Sequence, residues 1–179
     1  MFDERSTRAA LVAFTAAPMT DTRNKIVDAA RLAAISAQLH AAGKRLVTCN
    51  GSFDLFHYGH LHFLEFARAQ GDVLIVGVNA DCSVKQYKSA HRPIVPELQR
   101  ARLLAALAVV DYVYIFPELV PMPFLEMVKP QVHVNGAEYG TACIEAPTVR
   151  QNGGQIVLVP KVEGLSTTAL IARIKQCEQ

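Results

Sequence analysis

The feature that most constrains the fold of this chain is a regular alternation of short apolar segments with segments of helical periodicity. Val73–Asn79 (VLIVGVN) is an apolar run of the kind found in a strand buried on both faces of a parallel sheet. Four further segments are predicted to be strands, at 45–49, 112–116, 132–135 and 155–159. Helices are predicted around them, at 25–43, 58–70, 96–109, 122–128, 144–152 and 166–176. This order predicts an α/β fold, a five-stranded parallel sheet with helices on both faces and right-handed crossovers.

The length of 179 residues fits one domain with its own core. Hydrophobic residues make up 51% of the chain and charged residues 19%, which is typical of a globular protein. We expect residues 1–24 to be a leader, flexible or engaged in an oligomer contact, and residues 25–179 to be the folded domain. The apolar runs are too short to span a bilayer, and the first twenty residues lack the apolar core of a signal peptide.

Charge and cysteine content argue against nucleic-acid-binding, zinc-binding and disulfide-rich classes of protein. A net charge of +2 without a basic run argues against a nucleic-acid partner. The four cysteines have no CxxC spacing, so a zinc site is not expected, and reduced thiols in a cytoplasmic protein are favoured over a disulfide framework.

The first predicted strand runs into the segment 50–60, NGSFDLFHYGH, at the edge of the sheet where ligands bind in such folds. Gly51 and Gly59 would let backbone approach a ligand closely. His57 and His60 lie three residues apart at a helix start, so both can donate hydrogen bonds to one anion. The alternatives are a structural pair of histidines or half a metal site. The metal site would need a third ligand, and His62 is expected to point elsewhere.

This segment resembles the GxFDxxHxGH signature of the cytidylyltransferase-like nucleotidyltransferases, and the resemblance extends from about residue 25 to residue 174. It implies a Rossmann-like three-layer α/β/α sandwich. It also implies that His57 and His60 act in catalysis. The nucleoside triphosphate would be held by the preceding loop, namely Gly51, Ser52, Phe53 and Asp54.

A second anion cradle is predicted at 163–168, EGLSTT. Ser166 is a good helix N-cap, and Thr167 and Thr168 would lie in the first turn, next to unpaired amides. An ordinary capped helix is the alternative. The segment resembles the family's RTEGISTT-like motif, which implies that Gly164, Ser166, Thr167 and Thr168 bind the β- and γ-phosphates. Lys161 stands where relatives often carry arginine, so the charge is kept and the bidentate fork is lost.

Lysines and arginines follow the second strand. Lys85 and Lys88 are expected on a loop at its carboxyl end, where a lysine can neutralise a transferring phosphoryl group, although two solvated surface lysines are the alternative. The resemblance places Lys85 near the acceptor phosphate, as a catalytic group, and Lys88 near the nucleotide. We assign Asn79 and Arg92 to the acceptor and Arg100 to the nucleotide.

The segment 92–100, RPIVPELQR, resembles the branch that adenylylates D-glycero-β-D-manno-heptose 1-phosphate, which also occurs as one domain of a bifunctional kinase and adenylyltransferase. Residues 134–139, VNGAEY, stand where that branch usually has a KGxDY-like segment. Gly136 and Glu138 are assigned to the nucleotide, in a loop near the base or the acceptor.

The expected reaction joins AMP from ATP to heptose 1-phosphate and releases pyrophosphate. Mg²⁺ would be bound mainly through the phosphates of the nucleotide, and no protein ligand is assigned to it. A cytidylyltransferase for glycerol 3-phosphate or phosphoethanolamine is the alternative within the class, and a non-catalytic nucleotide-binding module is the alternative outside it. The expected partners are an NTP and a phosphorylated sugar or alcohol, without nucleic acid or membrane, and the resemblance implies a homodimer or higher homo-oligomer.

Overall fold

Five parallel strands form a single sheet in the computed structural model, which describes residues 21–160, 162 and 164–177. The strands are β1 (Leu46–Gly51), β2 (Val73–Asn79), β3 (Tyr112–Phe116), β4 (Val132–Gly136) and β5 (Gln155–Val159). Their order across the sheet is β3-β2-β1-β4-β5, and all neighbours are parallel. The predicted parallel sheet is therefore confirmed.

Seven α-helices accompany the strands in the described part of the chain. They are α1 (Ala29–Ala41), α2 (Tyr58–Arg68), α3 (Asp81–Tyr87), α4 (Glu97–Ala105), α5 (Met122–Val128), α6 (Ala146–Gln151) and α7 (Thr167–Cys177). Six of them match a predicted helix, and their bounds shift by a few residues because helix ends depend on caps that periodicity does not show.

The sheet is covered on both faces, which confirms the three-layer α/β/α architecture. On one face, strand residues such as Val47 and Val76 pack with Leu64 of α2 and Leu104 of α4. On the opposite face, Leu46 and Ile75 pack with Leu32 of α1, Phe124 and Leu125 of α5, and Val149 of α6. Each buried aliphatic side chain of this kind contributes about 1.5–3 kcal/mol.

The direction in which strands are added reverses at β1. The chain goes from β1 to β2 to β3 on one side, then crosses back to place β4 on the other side of β1. The carboxyl ends of the strands are in register, with Gly51 opposite Val78 and Gly136 opposite Val159. A crevice at such a reversal is the usual ligand site of an open parallel sheet.

The segment before α1 differs from the predicted helix. The residues Thr22–Lys25 form a 3-10 helix, and α1 starts only at Ala29, where the Asp28 side chain accepts from the Arg31 N–H. The Lys25 ammonium donates to the carbonyls of Leu107 and Val110, beyond the C-terminus of α4. Residues 21–24 thus already belong to the described fold, and residues 1–20 of the predicted leader lie outside the described residues.

The segment after β2 is a helix, not the loop that we expected. The helix α3 covers Asp81–Tyr87, with Ser83 and Val84 buried. It is tied to α4, because the Asp81 N–H donates to the Glu97 carboxylate at 2.5 Å. Val84 is the one aliphatic residue on its inner face, so hydrophobic periodicity was too weak to reveal a helix of seven residues.

Candidate active site

A cleft of about 360 Å³ opens at the carboxyl ends of β1, β4 and β5. Its walls come from the loop after β1, the start of α2, the loops after β4 and β5, and the start of α7. The sequence-predicted residues that line it are Gly51, Ser52, Phe53, His57, His60, Lys88, Gly136, Glu138, Ser166, Thr167 and Thr168. Both predicted phosphate motifs therefore face one cavity, although 113 positions separate Asp54 from Thr167.

The two histidines are stacked at the start of α2. Their ring centroids are 3.9 Å apart with an interplanar angle of 20°, and the backbone N–H of His57 donates to His60 Nδ1 at 3.4 Å. A methyl group at Gly59 would lie 2.9 Å from the His57 ring and 3.3 Å from the Leu165 side chain. Glycine is therefore needed at position 59, because any larger residue would push the His57 ring away.

Burial lowers the pKa of both histidines. The pKa of His60 falls to about 4, first because of burial and then because of the nearby His57 and Lys88 charges. Burial also lowers the pKa of His57. Both rings are thus neutral near pH 7, and each neutral ring has one N–H donor. Since His60 Nδ1 accepts from the backbone, the donor of His60 is Nε2–H.

The second motif caps α7 as predicted. The Ser166 hydroxyl accepts from the Ala169 N–H at 3.1 Å, which is the N-cap arrangement. The Thr167 hydroxyl donates to the Asp54 carbonyl at 3.0 Å and so joins the second motif to the first. Gly164 has a φ of 73°, which favours glycine, and does not itself line the cleft, whereas the next residue, Leu165, does. Lys161 lies outside the described residues, so its assignment stays a prediction.

The two lysines, one in α3 and one just after it, differ in their relation to the cleft. Lys88, just after α3, lines the cleft and donates to the Ser52 hydroxyl at 2.8 Å. Burial lowers its pKa, and the neighbouring Arg92 lowers it further. Lys85 lies one turn earlier, is exposed and does not line the cleft. The structure therefore brings Lys88 to the predicted nucleotide site and leaves Lys85 at its outer side.

Three of the predicted ligand residues are engaged in bonds within the protein. The Asp54 carboxylate is fully buried and accepts from the Ile94 and Val95 amides and from Arg92, with a 2.6 Å ion pair to Arg92. Burial alone would raise the pKa of Asp54, but these hydrogen bonds hold it below its usual value. Arg100 is 1% exposed, and its guanidinium is used within the protein. The cleft is therefore not lined by Asp54, Arg92 or Arg100. These side chains instead bond the backbone and side chains of the loops that surround it.

Asn79 is a fourth such residue. Its side chain is 6% exposed and donates to the Ser83 hydroxyl at 3.3 Å, inside the turn that leads into α3. It does not line the cleft, and its amide is engaged by Ser83 within the protein. Its position at the end of a strand was correctly predicted, but its side chain bonds Ser83 at the start of the next helix.

The loop after β4 is fixed from behind by a buried carboxylate. Asn135 donates to Glu145 at 3.3 Å and accepts from the Gly136 N–H at 3.0 Å. Glu145 is only 6% exposed. Both ends of the Asn135 amide are thus used, and Gly136, Glu138 and Tyr139 form the cleft wall. This arrangement explains how an uncharged asparagine is held at this place.

An apolar wall and one further histidine of the cleft were not predicted from the sequence. The apolar residues Phe63, Val159, Pro160, Val162 and Leu165 line it, as does Asn50. His62 also reaches the cleft, contrary to our expectation. The position of Val159 and Pro160 at the carboxyl end of a predicted strand was the signal that could have identified them.

The described residues contain no cluster of three or more histidine, cysteine, aspartate or glutamate side chains that could hold a metal ion. Within the same residues, no helix has the length and apolar character needed to cross a membrane.

Comparison with known proteins gives matches that cover most of the chain. A family model described as cytidylyltransferase-like matches residues 48–173. Two curated relatives named Bifunctional protein HldE, from a Nitratiruptor species and from Geotalea uraniireducens, are 44% and 45% identical. The matches cover 87% and 88% of this chain but 33% and 32% of the relatives, so the chain spans about a third of their length.

Solved structures share the fold. The lipopolysaccharide core biosynthesis protein from Thermoplasma volcanium GSS1 is 29% identical, with a TM-score of 0.55, over 67% of this chain and 98% of that chain. A pantoate-beta-alanine ligase from Francisella tularensis, complexed with beta-gamma ATP and beta-alanine, is 15% identical with a TM-score of 0.55, over 86% of this chain and 78% of that one. At 15% identity the likeness shows the fold alone.

Proposed function

This chain is a member of the cytidylyltransferase-like family, and from that premise we propose that it transfers AMP from ATP to heptose 1-phosphate, releasing pyrophosphate. The observation that carries the proposal is the shared cleft, in which the stacked His57–His60 pair faces the capped start of α7. The choice of sugar is supported by the HldE relatives and by the RPIVPELQR segment. The similarity to the 29% identical lipopolysaccharide core biosynthesis protein supports a role for this chain in making lipopolysaccharide.

The reaction needs positioning and charge neutralisation more than covalent chemistry. A phosphate oxygen of the acceptor attacks the α-phosphorus of ATP. The bond from the α-phosphorus to the oxygen that bridges to the β-phosphorus then breaks, and pyrophosphate leaves with the electron pair. No covalent enzyme intermediate is required, because oriented substrates and preplaced donors lower the barrier.

The described cleft supplies donors of the type that such a transition state needs. The neutral His57 and His60 rings donate hydrogen bonds, each from one N–H, to oxygens on the reacting phosphorus. The first-turn amides of α7, together with Ser166 and Thr168, bind the β- and γ-phosphates. Lys88, which lines the cleft and donates to the Ser52 hydroxyl, neutralises charge on the transferred group. Gly136 and Glu138 lie where the nucleoside would fit.

The donor set of the cleft suits a Mg²⁺ ion that arrives with the nucleotide. Among the described lining residues, Glu138 is the one that carries a carboxylate. A dedicated protein site for Mg²⁺ would need more oxygen ligands, whereas ATP phosphates and water can supply them. When bound, the ion would neutralise charge on the phosphates.

The acceptor is proposed to enter past α3. Lys85 is exposed there, one turn before Lys88, and would meet the acceptor phosphate once the substrate extends out of the cleft. The proposed compartment is the cytoplasm, since Cys49, Cys82, Cys143 and Cys177 are all free thiols. We further propose a homodimer or higher homo-oligomer.

The test is a matrix of ATP and CTP against heptose 1-phosphate, glycerol 3-phosphate and phosphoethanolamine, measured by pyrophosphate release. We expect kcat/KM for ATP to exceed that for CTP by on the order of 10²-fold with heptose 1-phosphate, because a cleft that pairs one base leaves polar groups unpaired with the other. A clear preference for CTP would favour the cytidylyltransferase alternative. Absence of turnover with every pair would favour a binding module.

A further inference from the structure

The loop that follows β1 has a backbone conformation that it cannot hold alone. Phe53 and Leu55 have φ values of 46° and 50°, in the left-handed region that non-glycine residues seldom adopt. Such conformations persist only where the surroundings over-determine them. The Phe53 side chain, 4% exposed in the core, is one such restraint. The backbone of Ser52 and Phe53 needs another.

That second restraint is the buried guanidinium of Arg100. Its Nη1 donates to the Ser52 carbonyl, and its Nη2 donates to the Asn79 carbonyl at 2.8 Å. Its Nε donates to the Val95 carbonyl at 2.9 Å. One planar side chain therefore joins the loop after β1, the end of β2 and the segment before α4. The Asp81 carboxylate, 2.7 Å from Nη2, balances the charge and fixes the plane.

The bond from Arg100 to the Ser52 carbonyl also fixes the direction of the Phe53 N–H, which belongs to the same peptide unit. In a trans peptide the carbonyl and the following N–H point in opposite directions. With the Ser52 carbonyl directed at Arg100, the Phe53 N–H points away from Arg100, and Ser52 and Phe53 both line the cleft. No described residue accepts this N–H. It is a donor available to an anion.

We infer that Arg100 is a positioning residue, which by holding the Ser52 carbonyl directs the Phe53 amide at the substrate phosphates without touching the substrate itself. The inference rests on the proposed function only in taking a polyphosphate as the ligand. It does not depend on the identity of the base or of the acceptor. A lysine at position 100 would keep the charge but could not bond three carbonyls and a carboxylate in one plane.

The test measures binding of inorganic triphosphate by calorimetry to the full chain and to Arg100→Lys. We expect binding to weaken by about 10-fold, the equivalent of one well-formed hydrogen bond to a charged group. With ATP and acceptor, kcat should fall more than the KM for the acceptor rises. The matched control is Arg102→Lys, since Arg102 lies on the same helix but is exposed and bonds only the Thr22 hydroxyl among the described residues. It should bind triphosphate as the wild type does.

Unfolding temperatures and circular dichroism separate positioning from loss of fold. If Arg100→Lys does not fold, Asp81→Asn replaces it, because it weakens the restraint on Arg100 from outside the cleft. Its control is Glu97→Gln, which alters the same helix junction without a bond to Arg100. Folded Arg100→Lys, or in its place Asp81→Asn, with wild-type affinity would overturn the inference. So would a wild type that does not bind triphosphate. Triphosphate binding without turnover of any NTP would instead overturn the proposed function alone.

Discussion

His57 and His60 are the residues on which the proposed chemistry depends most directly. Replacing either with alanine removes one N–H donor near the reacting phosphorus, so kcat should fall by about 10²–10³-fold. The fold should survive, because neither side chain is part of the core clusters. Steady-state pyrophosphate release measures the effect, with the exposed His91→Ala as the control. A variant that keeps full turnover would remove the assigned role from that histidine.

The two lysines offer a matched pair on one short segment. Lys88→Ala should weaken ATP binding, since Lys88 lines the cleft and contacts Ser52. Lys85→Ala should leave ATP binding unchanged but lower kcat/KM for the acceptor, if the exposed Lys85 meets the acceptor phosphate. Calorimetric ATP titration and acceptor kinetics, run on both variants, separate these effects. Equal loss of ATP affinity in both would assign Lys85 to the nucleotide.

Single residues show where sequence reasoning is reliable and where it is not. His57, His60, Ser166 and Thr168 line one cleft, as the sequence predicts, because a strand-to-helix loop and a helix start determine which way they face. The direction of Asn79 and Arg100 depends on which carbonyls and carboxylates surround them in three dimensions. Charged side chains that are fully paired inside the protein, such as Arg100, have the same sequence appearance as ligand-binding ones.

At the scale of elements, the strands were predicted to within two residues, whereas one helix was missed and the start of another was misplaced. Strands buried on both faces leave long apolar runs, and Val73–Asn79 matches β2 at both ends. The helix α3 was missed because it is short and mostly polar. The start of α1 was misplaced because Asp28, a cap, stands within a segment that is helical in its periodicity.

The hydrogen bond that connects α7 to the loop after β1 can be tested by substitution. Thr167→Val keeps the size of the side chain and removes the hydroxyl that donates to the Asp54 carbonyl. We expect weaker binding of triphosphate, by a few-fold, because α7 would no longer be held beside the histidines. Thr148→Val, on α6 away from the cleft, is the control. Unchanged triphosphate affinity in Thr167→Val would show that this bond is dispensable.

For the molecule as a whole, buried histidines should make stability depend on pH. Burial lowers the pKa of His133 to about 3 and contributes most to lowering that of His60 to about 4, against an ordinary value of 6.5. The unfolded chain therefore binds more protons between about pH 6.5 and 4, and stability falls as the pH falls through this range, by about 1.4 kcal/mol per pH unit for each group. The depressed pKa of Asp54 acts in the same direction at still lower pH.

Urea unfolding at pH 7 and pH 5 measures this loss. His133→Gln should reduce the pH dependence, since glutamine can still bond the Thr48 hydroxyl, 2.9 Å from His133 Nδ1 in the sheet, but does not titrate. His91→Gln, at an exposed position, should leave it unchanged. A variant His133→Gln with the full wild-type slope would contradict the assignment of this acid sensitivity to His133.

The low burial of α7 has a consequence for its local unfolding. None of its eleven residues is buried, yet its first turn lines the cleft and bonds the Asp54 carbonyl. A helix with so little buried surface opens at a low free energy, so its amides should exchange with deuterium faster than those of the sheet. A bound polyphosphate that bridges α2 and α7 would supply the missing attachment. Amide exchange in Ala169–Ile174 should therefore slow markedly when inorganic triphosphate is added, while exchange in β2 stays the same.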